Sequence, residues 1–241
     1  SFNTLPSQPA PAPLRILFVI PSPSDQPAIN YEHELISIHE ALAESIERKA
    51  VLLHVLYEAT RQALFDALQR DHYHVLHYLG QGTYDLEQRQ GFLKIENETG
   101  MTEWIDAREF ADLIKGQGLQ LIVLQAYQDA PVGMIDTFNE VAVQALRQEI
   151  PEILTIPVGL PQVPSQALQR VLYSSLGNES TTPTALQRIR SALQSLSRAQ
   201  NLKHRRFDWG LPILYHRTDP YALIEQGPEA FAPSDRSMSP R

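Results

Sequence analysis

The stretch Leu119-Gln-Leu-Ile-Val-Leu-Gln-Ala-Tyr-Gln-Asp-Ala130 limits the fold of this chain more than any other. Its apolar core does not alternate with polar residues, as a strand with one wet face would. A run of that length reads as a strand buried on both faces, in a parallel sheet covered by helices. Pro131-Val-Gly133 closes it. In sheets of this kind the loops leaving the C-terminal ends of the strands carry the chemistry. The loop here begins at Tyr127, Gln128 and Asp129.

The rest of the chain supplies the partners such a strand needs. Strands are expected at 14–20, 51–57, 72–79, 153–158 and 211–215. Helices are expected between them, with apolar stripes on Tyr31, Leu35, Ile38, Leu42 and Ile46; on Leu64, Phe65 and Leu68; on Ile135, Phe138, Ala142, Ala145 and Leu146; on Leu168, Val171, Leu172 and Leu176; and on Leu186, Ile189, Leu193 and Leu196. Pro164-Ser165 marks the start of the fourth of these helices, and Thr182-Pro183 reads as cap and first residue of the fifth. Asp106 with Glu109 three residues later is a capping-box signature for a helix to about Lys115. Residues 91–105 read as a β-hairpin turning at Asn97–Gly100. Alternating strands and helices predict an α/β, three-layer sandwich: a mostly parallel central sheet of about six strands flanked by helices, with a small hairpin insertion.

Residues 1–13, with Pro6, Pro9, Pro11 and Pro13, read as a stiff linker, and with Ser1 in place of Met they suggest a neighbour upstream. Residues 14–218 form the folded domain. Residues 219–241 carry proline, serine and charge without periodicity and are expected to be loosely attached.

Charge and composition narrow the function. A net charge of −8 argues against a nucleic-acid surface, which needs a positive footprint. No apolar run approaches the roughly 18 residues of a membrane span, and no signal peptide is evident, so the expected location is the cytoplasm. The chain has no cysteine, which removes disulfides, thiolate metal sites and every cysteine nucleophile.

Three motifs carry a resemblance that covers 14–217: His77-Tyr-Leu-Gly-Gln-Gly82, Leu121-Ile-Val-Leu-Gln-Ala-Tyr127 and Trp209-Gly-Leu-Pro-Ile-Leu-Tyr-His-Arg217. In wording and order they resemble the CHAT family, caspase-like proteins of the cysteine-peptidase clan that also holds separases and caspases. The resemblance implies a catalytic histidine at the position of Gln81 and a nucleophilic cysteine at that of Tyr127. An amide has no proton that titrates near neutrality, so glutamine is no general base. A phenol ionises near pH ~10, so tyrosine is protonated and a poor nucleophile at neutral pH. With both members of the dyad replaced, the resemblance implies a catalytically inactive pseudo-protease.

The remaining site residues have plainer readings. Gly80 and Gly82 are expected to let the backbone adopt positive φ and expose Gln81; they do not form a phosphate loop. His77, inside an apolar strand, reads as a buried, hydrogen-bonded residue in preference to a stand-in base. His72 and His74 lack a third ligand at suitable spacing, so no metal is expected. No cofactor is expected either. Asp25 and Asp129 read as solvated carboxylates on the cleft rim, the alternative being a seat for a basic side chain. The cluster Lys203–Arg206 reads as a solvated loop, the alternative being a seat for an acidic peptide.

Together His77, Gly80, Gln81, Gly82, Tyr127, Gln128, Asp129 and Asp25 mark the expected cleft. Such a module is expected to bind a protein or peptide: an active protease, a sensor subunit or a fused upstream domain. Family context implies bacterial defence or regulated proteolysis. Two rivals are a hydrolase using Ser22, Ser24 or Tyr127 as nucleophile, and an adaptor cut in its tails by an active paralogue.

Overall fold

The computed structural model describes residues 13–27, 30–127, 134–178, 180–199, 208–217 and 223. The expected linker up to residue 12, Gln128, Asp129, the Lys203–Arg206 cluster and all of the expected tail except Leu223 lie outside these residues.

Six strands form the main sheet: β1 (Leu14–Val19), β2 (Val51–Leu56), β3 (Val75–Gly80), β7 (Leu121–Ala126), β8 (Glu152–Ile156) and β9 (Ile213–His216). Their order is β2-β1-β3-β7-β8-β9; all neighbours are parallel except β8 and β9. β3 and β7 are buried at every residue, which is why both read as near-continuous apolar runs.

One face is covered by α2 (Arg61–Arg70), α3 (Ala107–Ile114) and α4 (Met134–Arg147), the other by α1 (Glu32–Glu47), α5 (Gln162–Gly177) and α6 (Thr182–Ala199). On the first face Leu17, Leu76 and Ile122 meet Leu64, Phe110 and Phe138. On the second, Ile16, Phe18 and Val123 meet Ile38, Leu168 and Ile189, and Leu223 is buried in the same core. The three-layer sandwich read from the sequence is the observed architecture.

A second, antiparallel sheet of β4 (Gly82–Asp85), β5 (Gln90–Glu96) and β6 (Thr102–Asp106) sits between β3 and α3. The hairpin is therefore present, with one strand more than expected. Leu93, Ile95 and Ile105 face the core, while Lys94 and Trp104 pair across the opposite face.

Local details correct several expectations. The third strand begins at Val75, not His72, because the His74 Nδ1 takes the Arg15 N–H at 3.0 Å. Phe65 is 41% exposed and Ile135 is 46% exposed. One residue on from Leu64 or Met134 is a turn of about 100° round the helix, enough to leave the buried stripe; Ala67 and Met134 fill those places. α5 starts at Gln162, with Pro164 tolerated in a first turn whose N–H groups have no intrahelical partner. The cap of α6 is Thr181, whose Oγ1 accepts from the Thr184 N–H at 3.3 Å, not Thr182.

Candidate functional site

The strand order reverses between β1 and β3: β2 lies on one side of β1 and every later strand on the other. Crevices at such switch points, beyond the C-terminal ends of the strands, are where open α/β sheets bind ligands. Three chain segments leave the sheet there: Ile20–Asp25 after β1, Gln81 after β3 and Tyr127 after β7.

Gln81 and Tyr127 stand directly across from one another. Gly80 and Ala126 are paired in the parallel ladder, and the Tyr127 N–H donates to the Gly80 carbonyl at 2.9 Å. The glycines beside Gln81 do not work as expected, because neither has positive φ. They permit close approach instead. A Cβ on Gly80 would lie 2.5 Å from the Tyr78 ring, and one on Gly82 would lie 2.6 Å from the Phe92 carbonyl oxygen. Gln81 is half-buried, not thrust into solvent.

The backbone and side chain of Gln81 are both engaged. Its carbonyl accepts the Lys94 N–H at 2.9 Å. The Tyr78 hydroxyl, 2.7 Å from the carbonyl oxygens of both Gln81 and Lys94, donates into the same corner. The carboxamide Oε1 of Gln81 accepts from Lys94 Nζ. Lys94 also lies 5.8 Å from the centre of the Trp104 ring, a cation–π contact. Burial lowers the ammonium pKa of Lys94, partly offset by the Asp25 charge.

Tyr127 packs its ring on the core, and its hydroxyl accepts the Asn30 N–H at 3.0 Å. Beneath it, His77 is fully buried, with Nδ1 2.7 Å from the Tyr173 hydroxyl and the Phe18 ring against its edge. Burial pushes this imidazole down to about 3, so it is neutral at physiological pH and shut away from the cleft. Beside it runs a buried polar chain. Gln169 donates to Gln125 at 2.5 Å, Gln125 to Ser165 at 3.1 Å, and Ser165 to Glu34 at 3.2 Å.

The segment after β1 straps the two sheets together. The Ser22 N–H donates to Glu96 Oε1 at 2.8 Å, and the Ser24 N–H and hydroxyl donate to the Gly100 carbonyl at 2.8 and 3.0 Å. Asp25 Oδ1 accepts the Thr102 N–H at 2.9 Å and its hydroxyl at 2.8 Å. The Thr102 hydroxyl, foremost, holds the Asp25 carboxyl below the usual carboxylate range. Asp25 is therefore an anchor of the strap as well as an exposed rim carboxylate. Among the described residues, none of the Ser22, Ser24 or Tyr127 hydroxyls is hydrogen-bonded to a carboxylate or imidazole. Among the same residues, no three His, Asp or Glu side chains gather as metal ligands, and no helix is long and apolar enough to cross a membrane.

Sequence reasoning missed Lys94 and Glu96. The available signal was the inward pair Leu93 and Ile95, which puts Lys94 on the opposite face across from Trp104. Nothing local disclosed that both would be buried.

Comparison with known proteins follows this geometry. No curated protein matches the chain. Among solved structures, the crystal structure of the Drosophila initiator caspase Dronc is similar, at 10% identity over 85% of this chain and 78% of that one, with a TM-score of 0.48. A family model described as the CHAT domain matches residues 6–217, a span that takes in the whole sheet, the strap and the Gln81–Tyr127 pair, and the chain belongs to the CHAT domain family.

Proposed function

We propose that this chain is a catalytically inactive CHAT-type pseudo-protease that serves as a protein-interaction or regulatory module. Family membership sets a protease-related frame. One observation carries the narrower conclusion. The two positions where the family keeps imidazole and thiol are neighbours across β3 and β7, and they hold a carboxamide bonded to Lys94 and a phenol bonded to the Asn30 backbone. Neither group can start acyl transfer at neutral pH. What remains at these strand ends is a set of groups that donate and accept hydrogen bonds, suited to holding a peptide without cutting it. The partner is a protein: an active protease, a sensor subunit or a fused upstream domain, in a cytoplasmic bacterial defence or regulated-proteolysis system.

Fluorogenic peptides ending in Arg, Lys or Asp provide the test. The chain is expected to release no fluorophore above the buffer rate, whereas Gln81→His combined with Tyr127→Cys is expected to gain slow cleavage. The Lys94 ammonium beside the new imidazole would favour its neutral, basic form. Turnover by the unaltered chain that disappears in Tyr127→Phe would overturn the proposal.

A further inference from the structure

Lysine is almost never buried unless its charge is paired. Lys94 is 7% exposed, yet among the described residues no carboxylate oxygen lies within 4.0 Å of its Nζ. Among the described residues, one acceptor faces its three ammonium protons, Gln81 Oε1. The nearest acidic influence is Asp25, whose Oδ1 is already held by both Thr102 donors. In a chain of net charge −8, this is, among the described residues, an under-coordinated cation beside the strand ends.

Its surroundings have a shape. Gln81 turns its carboxamide oxygen to Lys94, so the amide nitrogen carries the free donors; among the described residues that nitrogen has no hydrogen-bond partner. Trp104, paired with Lys94 across the small sheet and 41% exposed, forms the open wall. An ammonium and an amide N–H₂ side by side match the two oxygens of a carboxylate, and the indole offers a flat surface for the methylene next to it.

We infer that Gln81, Lys94 and Trp104 form a carboxylate-binding subsite, so that the partner peptide presents an acidic group to this end of the crevice. This rests on the crevice being a peptide-binding site. The carboxylate has two sources, an internal Asp or Glu side chain and a free chain terminus. A ligand carboxylate gives the Lys94 ammonium a counter-charge in direct contact, and charge-assisted hydrogen bonds of this kind discriminate by about tenfold or more against the uncharged isostere.

Three pools of fluorescein-labelled hexapeptides test the subsite by fluorescence anisotropy. Two are capped at both ends and differ only in having Asp or Asn at one central position; the third carries Asn and a free C-terminal carboxylate. The Asp pool is expected to bind about tenfold tighter than the capped Asn pool, with the preference gone in Lys94→Gln and largely kept in Lys94→Arg. If the free-terminus pool shows the preference instead, the subsite stands and its ligand is a terminal carboxylate. Equal binding of all pools, or a preference that survives Lys94→Gln, would overturn the subsite while leaving peptide binding intact. Binding of no pool would remove the peptide-binding function and the subsite with it. Should Lys94→Gln fail to melt like the parent chain, Trp104 emission in a Trp209→Phe background decides: the Asp pool shifts it and the capped Asn pool does not, and no shift with the Asp pool overturns the subsite.

Discussion

His77 opens the first of the three family-like motifs and shows how burial decides what a residue can do. Its ordinary pKa of 6.5 falls to about 3 through desolvation. As pH drops below 6.5, protons therefore bind the unfolded chain before the folded one. The stability contributed by neutral His77 is complete above pH 6.5 and is lost progressively as pH falls toward about 3. At about 1.4 kcal/mol per pH unit for one proton, the chain should lose about 2 kcal/mol more between pH 7 and pH 5 than His77→Gln. Urea unfolding at both pH values measures this, and parallel losses in the two chains would refute it. The sequence made His77 legible because the residues on either side of it, Val75, Leu76, Tyr78 and Leu79, are apolar or aromatic. It did not disclose Tyr173, 96 residues away, as the hydrogen-bond partner.

Among the elements, α3 is the clearest case of local sequence specifying local structure. Asp106 Oδ1 accepts the Arg108 and Glu109 N–H groups at 2.8 and 2.9 Å, and Glu109 Oε2 accepts the Asp106 N–H at 3.2 Å. Asp106→Ala is expected to cost about 1 kcal/mol of unfolding free energy with an unchanged denaturant slope. Glu109 also meets Arg61 of α2 at 3.3 Å, but that pair is half-exposed and contributes little. β4 was illegible by comparison. Gly82-Thr-Tyr-Asp85 is too short to show a period, and it is a strand because β5 pairs with it. Phe65 and Ile135 were misplaced for the opposite reason: each is apolar and adjacent to a true core position, and only the packed helix says which of the two turns inward.

At the scale of the molecule, the layering was legible because every main-sheet strand except the partly exposed edge strands β2 and β9 is essentially buried. The strap was not, because its anchors are contacts between segments about 75 residues apart. Glu96 is the buried end of that strap, accepting the Ser22 N–H at 2.8 Å and lying 3.4 Å from the Ala59 N–H. Glu96→Ala is expected to speed amide hydrogen exchange across residues 20–26 while the exchange of β3 and β7 stays slow. Unaltered exchange at Ser22 would show that the strap holds without this carboxylate.

β3 ends at Gly80 and β4 begins at Gly82, so Gln81 is the single residue of chain between the main sheet and the small antiparallel one. A corner with no slack transmits motion, where a longer loop would absorb it. The Asn97–Gly100 tip of the small sheet is held in turn by Ser24 on the Gly100 carbonyl, so the hairpin is fixed at both of its ends. Of the ties between the two sheets, this corner is the one-residue link of continuous chain, and the strap makes others through hydrogen bonds.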